Sequence, residues 1–193
     1  MANAAPALPS LLTDPGFLYW APLGSTLPAP VSTASAFSDA WPVAWIPMGM
    51  TESGTDIDTT LTVSPILAAE LIDPIQYRTT AREGKLSFQL LAFTATNLAR
   101  AYNGATTVVT GTGPTTITKL DPPAVGTEVR AMIGFESLDS TFRFIAYQVI
   151  NSGDLKFAFN KAPLKTAIPW IGMMEKPAST QPWSAWTAGA ARA

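Results

Sequence analysis

The chain has 193 residues, of which only 13% are charged, with a formal charge of -2 and neither cysteine nor histidine. Without thiols there are no disulfides and no thiolate chemistry; without imidazoles the commonest general base and metal ligand are gone. So sparse and balanced a charge lacks the basic character of a nucleic-acid grip, and also the charge that small soluble monomers carry, which points to a surface covered by partners.

Residues 1–16 are rich in Ala and Pro without a sustained period and read as an N-terminal arm. They show no basic n-region and no uninterrupted apolar core, so no signal peptide is expected. No stretch of the chain approaches the ~18 consecutive apolar residues that cross a membrane. Phe17-Leu18-Tyr19-Trp20 is a short aromatic run that suits a buried or docked strand. Residues 21–55 form a long Pro-rich loop, with Pro22, Pro28, Pro30, Pro42 and Pro47 breaking regular sheet. It also carries Trp41 and Trp45, and loops that bear tryptophan are seldom mere linkers.

From Asp56 the pattern alternates. Ile57, Thr59, Leu61 and Val63 interleave with Asp56, Asp58, Thr60 and Thr62, the signature of a half-buried strand. Residues 65–72 read as a strand continuing past a kink. Lys85 to Thr94 is the clearest strand, with Leu86, Phe88, Leu90 and Ala92 on one face. One helix follows near 95–103. Thr94 or Thr96 caps it, Leu98, Ala101 and Tyr102 share a face, and Asn103-Gly104 ends it in the left-handed region. A helix so short must lie on a sheet.

Beyond it, residues 106–120 read as a hairpin turning at Gly111–Pro114. Residues 128–135 alternate as a strand, and 141–150 and 155–160 flank a turn at Asn151–Asp154. A last strand spans 165–175, where Pro169 implies an edge or a bulge. The sum is about seven strands joined mostly by short turns, plus one helix. The expectation is an all-β single domain, an antiparallel sandwich or barrel over 56–175 flanked by the helix, with a C-terminal arm at 176–193.

Catalytic signals are weak, and no enzyme, metal or cofactor is expected. Asp56 and Asp58 share a strand face, but calcium or magnesium would need more converging oxygens. Gly111-Thr112-Gly113-Pro114 lacks the Lys-Ser/Thr of a phosphate loop. Serine has no histidine to activate it, and no S-x-x-K spacing occurs. The 12 basic residues are scattered.

Tryptophan is the remaining signal. Of the 6 tryptophans, Trp20 and Trp170 fall in strands, whereas Trp41, Trp45, Trp183 and Trp186 fall in the loop and the tail. Tryptophan is enriched at protein interfaces, and with Phe17 and Tyr19 these four are candidate assembly contacts. Burying two tryptophans yields at most about 10 kcal/mol, against roughly 18–36 kcal/mol of backbone entropy for ordering 176–193. The tail is therefore expected to be mobile in the monomer, ordering on a partner. Deleting 177–193 should then spare the fold and weaken polymerisation.

Residues 66–105, ILAAELIDPIQYRTTAREGKLSFQLLAFTATNLARAYNGA, carry a family likeness. Glu70 and the Asp73-Pro74 turn lead through a polar loop to Gly84 and the strand Leu86–Leu91. Thr94–Asn97 then opens the helix that Asn103-Gly104 closes. Upstream, Trp45 to Gly54 reads W-x-P-x-G-x-T-x-x-G, followed by an acidic, Thr-rich strand; downstream lies the strand pair around Asn151–Asp154. Across about 40–175 the chain resembles the major tail protein, or tail tube protein, of long-tailed phages with non-contractile tails. Phe93 departs from the pattern, standing where relatives often place a glutamate. The chain has no room for the immunoglobulin-like domain that some relatives append.

The resemblance implies a β-sandwich flanked by a helix, six copies closing a ring, and rings stacking through a long loop and terminal arms into a tube that conducts DNA to the host. It implies no enzymatic step. Its implied partners are identical copies together with tape-measure, tail terminator and distal tail proteins. DNA would pass without specific binding, with Asp56 and Asp58 as candidate lumen residues. The implied location is the virion tail, with assembly in the host cytoplasm. Two other readings stay open: another virion component, such as a head–tail connector or capsid decoration protein, and a carbohydrate-binding β-sandwich using exposed tryptophans.

Overall fold

A computed structural model describes residues 15–29, 32–33, 36–37, 39–67, 73–113, 116–155 and 167–188. Residues 1–14 of the N-terminal arm, the 68–72 part of the kinked strand, all but the first residue of the strand expected at 155–160 and the last residues of the tail lie outside them.

The protein is an antiparallel all-β fold with one short helix. Its strands are β1 (Gly16–Pro22), β2 (Ser32–Thr33), β3 (Ala36–Phe37), β4 (Ile46–Gly49), β5 (Thr51–Ile66) and β6 (Gln76–Leu90). Helix α1 (Ala95–Ala101) follows, then β7 (Thr106–Thr110), β8 (Ile117–Asp121), β9 (Ala131–Ser137), β10 (Phe142–Asn151), β11 (Ile168–Met174) and β12 (Trp183–Thr187). The main sheet runs β4-β1-β9-β10-β11-β6-β5, with β12 paired to β10. Its two end strands, β4 and β5, are separated in the chain by Met50 alone. The segment 46–66 thus pairs with β1 at its start and with β6 thereafter, and the sheet curls round to meet itself. Gly49 makes this corner possible, since its φ of 100° lies where side-chain-bearing residues are strained.

The curled sheet encloses one core. Leu18, Met48, Leu86, Phe88, Leu90, Ile133, Phe144 and Trp170 meet inside it, contributed by β1, β4, β6, β9, β10 and β11. Phe88 and Trp170 are cross-strand neighbours. Their rings stack with centroids 5.6 Å apart, within the usual range for aromatic pairs. β9 and β10 are buried on both faces because a second cluster, Ala21, Trp45, Met132 and Ile145, covers the outer side of the same strands. Gly134 lies beneath it: a Cβ there would collide with the Trp41 ring, so only glycine admits that side chain.

Helix α1 forms as its caps dictate. The Asn97 N–H donates to the Thr94 hydroxyl at 3.1 Å, so Thr94 rather than Thr96 is the cap. Asn103 at φ 53° and Gly104 at φ 95° turn the chain out in the left-handed region, the usual way to end a helix. Asn97, polar yet buried, donates its side-chain amide to the carbonyls of Met48 and Ala92 at 3.0 Å each. Those bonds satisfy a buried polar group and fasten the helix over the barrel mouth. Asn103 and Asn151 exchange side-chain and backbone hydrogen bonds at 2.8 Å, fixing the helix end to the end of β10.

Several expectations need correction. The 21–55 segment is not one loop, since it holds β4 and the start of β5. Its prolines are tolerated where a ladder donor is unnecessary. Pro22 ends β1, and Pro47 sits in β4, which pairs on one side only. The sheet also reaches beyond 56–175, taking in β1, β4 and β12. The strand expected over 85–94 begins nine residues earlier, at Gln76, and stops at Leu90. Pro169 sits in an interior strand, but the Ile171 N–H two residues on faces Asn151. Period two therefore turns the donor-less nitrogen of Pro169 to the same side, past the end of β10.

The tail is the largest correction. Residues 183–187 form β12 and pair with Phe142–Ala146 of β10. The backbone hydrogen bonds expected from a partner come from the chain itself.

Candidate assembly surface

The distal halves of β5 and β6 leave the barrel as a two-stranded ribbon. From Asp58 to Ile66 and from Gln76 to Glu83 every residue is exposed, although the pairing continues to Ile66 opposite Gln76. Inside the barrel β6 has β11 on its second side, but only from Gly84 onward. Among the described residues, both ribbon edges are therefore open. The Ile75 N–H donates to the Ile66 carbonyl at 3.0 Å and closes the far end. Leu61, Val63, Ile66, Leu67, Ile75 and Tyr77 stand on the ribbon between 43% and 66% exposed. A lone hairpin is marginal in water, and open, apolar edges are usually blunted in proteins that stay single. Alternation along 56–63 signals this strand, but nothing local in the sequence says that no third strand joins it. A second two-stranded hairpin, β7–β8, exposes Val108, Val109 and Ile117.

At the ribbon base a cavity of about 330 Å³ separates β6 from the approach to β12, lined by Thr80, Arg82, Met174, Lys176, Gln181 and Pro182. Nearby, the Gln148 amide donates to Glu175 at 2.6 Å and Arg130 adds a salt bridge at 3.2 Å. These bonds hold the Glu175 carboxyl below its usual range, the Gln148 bond being the larger cause.

The helix side carries a cavity of about 270 Å³ lined by Trp20, Arg100, Ala105, Val129, Val149 and Trp170, among others. The Arg100 guanidinium lies 4.7 Å from the Trp20 ring centroid and donates to the Asn97 side-chain oxygen at 3.3 Å. Among the described residues it meets no carboxylate. Burial pushes its pKa down.

The expected contact residues divide. Phe17 is 53% exposed and free for a partner. Tyr19, Trp41 and Trp45 pack on their own sheet, with Trp41 stacked on Tyr19 at 4.3 Å and tilted against Trp45 at 4.9 Å. Burial, then the Glu136 charge, raises the Tyr19 pKa. Trp183 stacks on Phe144 at 5.6 Å, and Trp186 packs against the outer cluster. Asp56 and Asp58 are exposed on one face of β5, opposite the face on which Ile57 reaches the core. Their cross-strand neighbours are Ser87 and Lys85.

Beneath a strap made by residues 36–37 and 39–45 lies a charged cluster that sequence reasoning missed. Arg143, 2% exposed, bridges Asp39 and Glu136 at 2.9 Å each. Trp41 donates its indole N–H to Glu136, and Phe37 and Trp41 flank the guanidinium at 4.9 and 5.0 Å. The partners are 104 and 7 residues away, so no spacing rule could find them. The alternation of Arg143 with Phe142 and Phe144 does place it on the face opposite the core, but nothing local shows that a strap covers that face.

No protein-family model matches the chain, and no curated protein matches it. Among the described residues no group of three or more acidic side chains is placed to hold a metal ion, and no helix is long and apolar enough to cross a membrane.

Proposed function

We propose that this protein is a self-assembling structural subunit, a tail tube protein that stacks as rings into the conduit of a long-tailed phage. One observation carries the reading. A two-stranded ribbon leaves a well-packed barrel with both faces exposed, no edge partner among the described residues, and six large apolar or aromatic side chains in water. Such an element has little reason to persist in a solitary particle and a clear use between copies. The motif likeness over about 40–175 supports the same reading, as do the -2 charge and the acidic pair Asp56 and Asp58 on an outward sheet face. A lining without bulk positive charge would let a polyanion slide rather than hold it. The rival sugar-binding reading loses ground because Trp41, Trp45, Trp183 and Trp186 are engaged with their own barrel.

The test is a concentration series of purified protein followed by sedimentation and negative-stain imaging. Hollow tubes of uniform width are expected. Isolated rings would favour a connector or decoration protein. A monomer at every concentration, with fluorescence that responds to polysaccharide, would favour the binding module.

A further inference from the structure

The ribbon and the Arg100 cavity lie toward opposite ends of β6. The cavity is lined by Trp170, whose strand partner is Phe88, and α1 follows directly after β6. The ribbon's far end is at Gln76. From Gln76 to Phe88 is twelve steps, roughly 40 Å of strand at ~3.3 Å each. A paired ribbon is too stiff to fold back over that distance onto its own cavity. A second copy offers the same pair of features the other way round.

The two features are also chemically matched. The cavity, at about 270 Å³, is small for a free ligand but ample for one or two side chains. Its wall combines apolar groups with a partly buried cation. A guanidinium has five N–H donors, and Arg100 uses one on Asn97. Removing that cation further from water is unfavourable unless an anion comes with the occupant. The ribbon end carries both parts. Leu67 and Ile75 are 66% and 61% exposed, and Asp73 between them is exposed with no ion-pair partner among the described residues.

We propose that the ribbon end of one copy seats in the Trp20–Arg100 cavity of the next, Ile75 filling the apolar part and the Asp73 carboxylate meeting the Arg100 guanidinium. The inference rests on the assembly reading above and names its seat. The contact joins different surfaces on the two partners, so it propagates head to tail, which is the geometry an open-ended stack requires.

The full chain has no cysteine, so introduced thiols report without background. An Ile75→Cys protein mixed with one carrying Thr96→Cys, a position on the cavity wall, should form a disulfide-linked pair under mild oxidation. Ile75→Cys mixed with Val125→Cys, also exposed, should form at least tenfold less. In the otherwise unaltered chain, Asp73→Arg and Arg100→Asp should each raise the assembly threshold at least tenfold, and the double variant should return it to within about threefold. Monomer melting temperature, read in parallel, separates a lost contact from a lost fold; if Arg100→Asp fails to fold, Asp73→Arg and the thiol pair decide. Tubes that form normally from Asp73→Arg, with no disulfide between the Ile75→Cys and Thr96→Cys proteins, would overturn this seat and leave the assembly reading standing. A parent chain that stays monomeric at every concentration would overturn both. Assembly indifferent to Asp73 together with uptake of hexanoate by the Arg100 cavity would reassign the cavity to a small carboxylate.

Discussion

Replacing residues 61–82 with Asn-Gly, so that Thr60 and Glu83 flank a two-residue turn, removes the ribbon while keeping the register of the barrel. No described residue in that span is buried, so the monomer should lose no more than about 1 kcal/mol. Assembly should respond quite differently. Six side chains, each roughly half exposed, would gain about 5–10 kcal/mol in total if a neighbour covered them, at ~1.5–3 kcal/mol per fully buried side chain. Association itself costs about 4–15 kcal/mol, so one such contact barely holds two copies together. Many contacts made at once, as in stacked rings, convert that weak link into a sharp concentration threshold. Sedimentation across a concentration series should therefore show a threshold for the parent and none for the shortened chain, with urea midpoints nearly unchanged. A shortened chain that polymerises like the parent would refute the ribbon's role. A loss of more than about 2 kcal/mol in the monomer would show that the ribbon belongs to the fold after all.

Arg143→Met should destabilise the barrel by about 3–5 kcal/mol in urea, because two nearly buried carboxylates lose their shared cation; a loss below about 1 kcal/mol would mean that water reaches the cluster. Trp183→Ala should cost about 3 kcal/mol through its contact with Phe144, and a chain ending at Gln181 should unfold at markedly lower urea. An unchanged midpoint in the truncated chain would return the tail to the status of a mobile arm. Glu175 has a depressed folded pKa, so its stabilising contribution is complete above the ordinary carboxylate range and is lost as pH falls through the folded value. Glu175→Gln should flatten the acid limb of a melting-temperature profile below about pH 4.5, and an acid limb identical to the parent's would count against the Gln148–Glu175–Arg130 link.

Much of this architecture was readable from local pattern. Alternation marked β5, the base of β6 and β9, while Thr94 and Asn103-Gly104 bounded the helix to within a residue or two. Absent histidine and cysteine argued against common catalytic chemistries before any fold was known. These features depend on neighbours two to four positions away, a range over which backbone geometry dictates what a side chain meets. Which strand edge stays open, which outer face acquires a lid, and whether Trp183–Trp186 finds a ladder are decided by segments tens of residues distant. Arg143 meets Asp39 only because β10 brings it beneath the strap, and Arg100 faces a cavity only because Trp20 and Val149 arrive from other strands. In sequence the ribbon reads as a half-buried strand followed by a polar loop up to Gly84, whereas β6 already begins at Gln76. Only the tertiary structure decides that β11 joins β6 from Gly84 onward and that, among the described residues, no strand joins the ribbon beyond it.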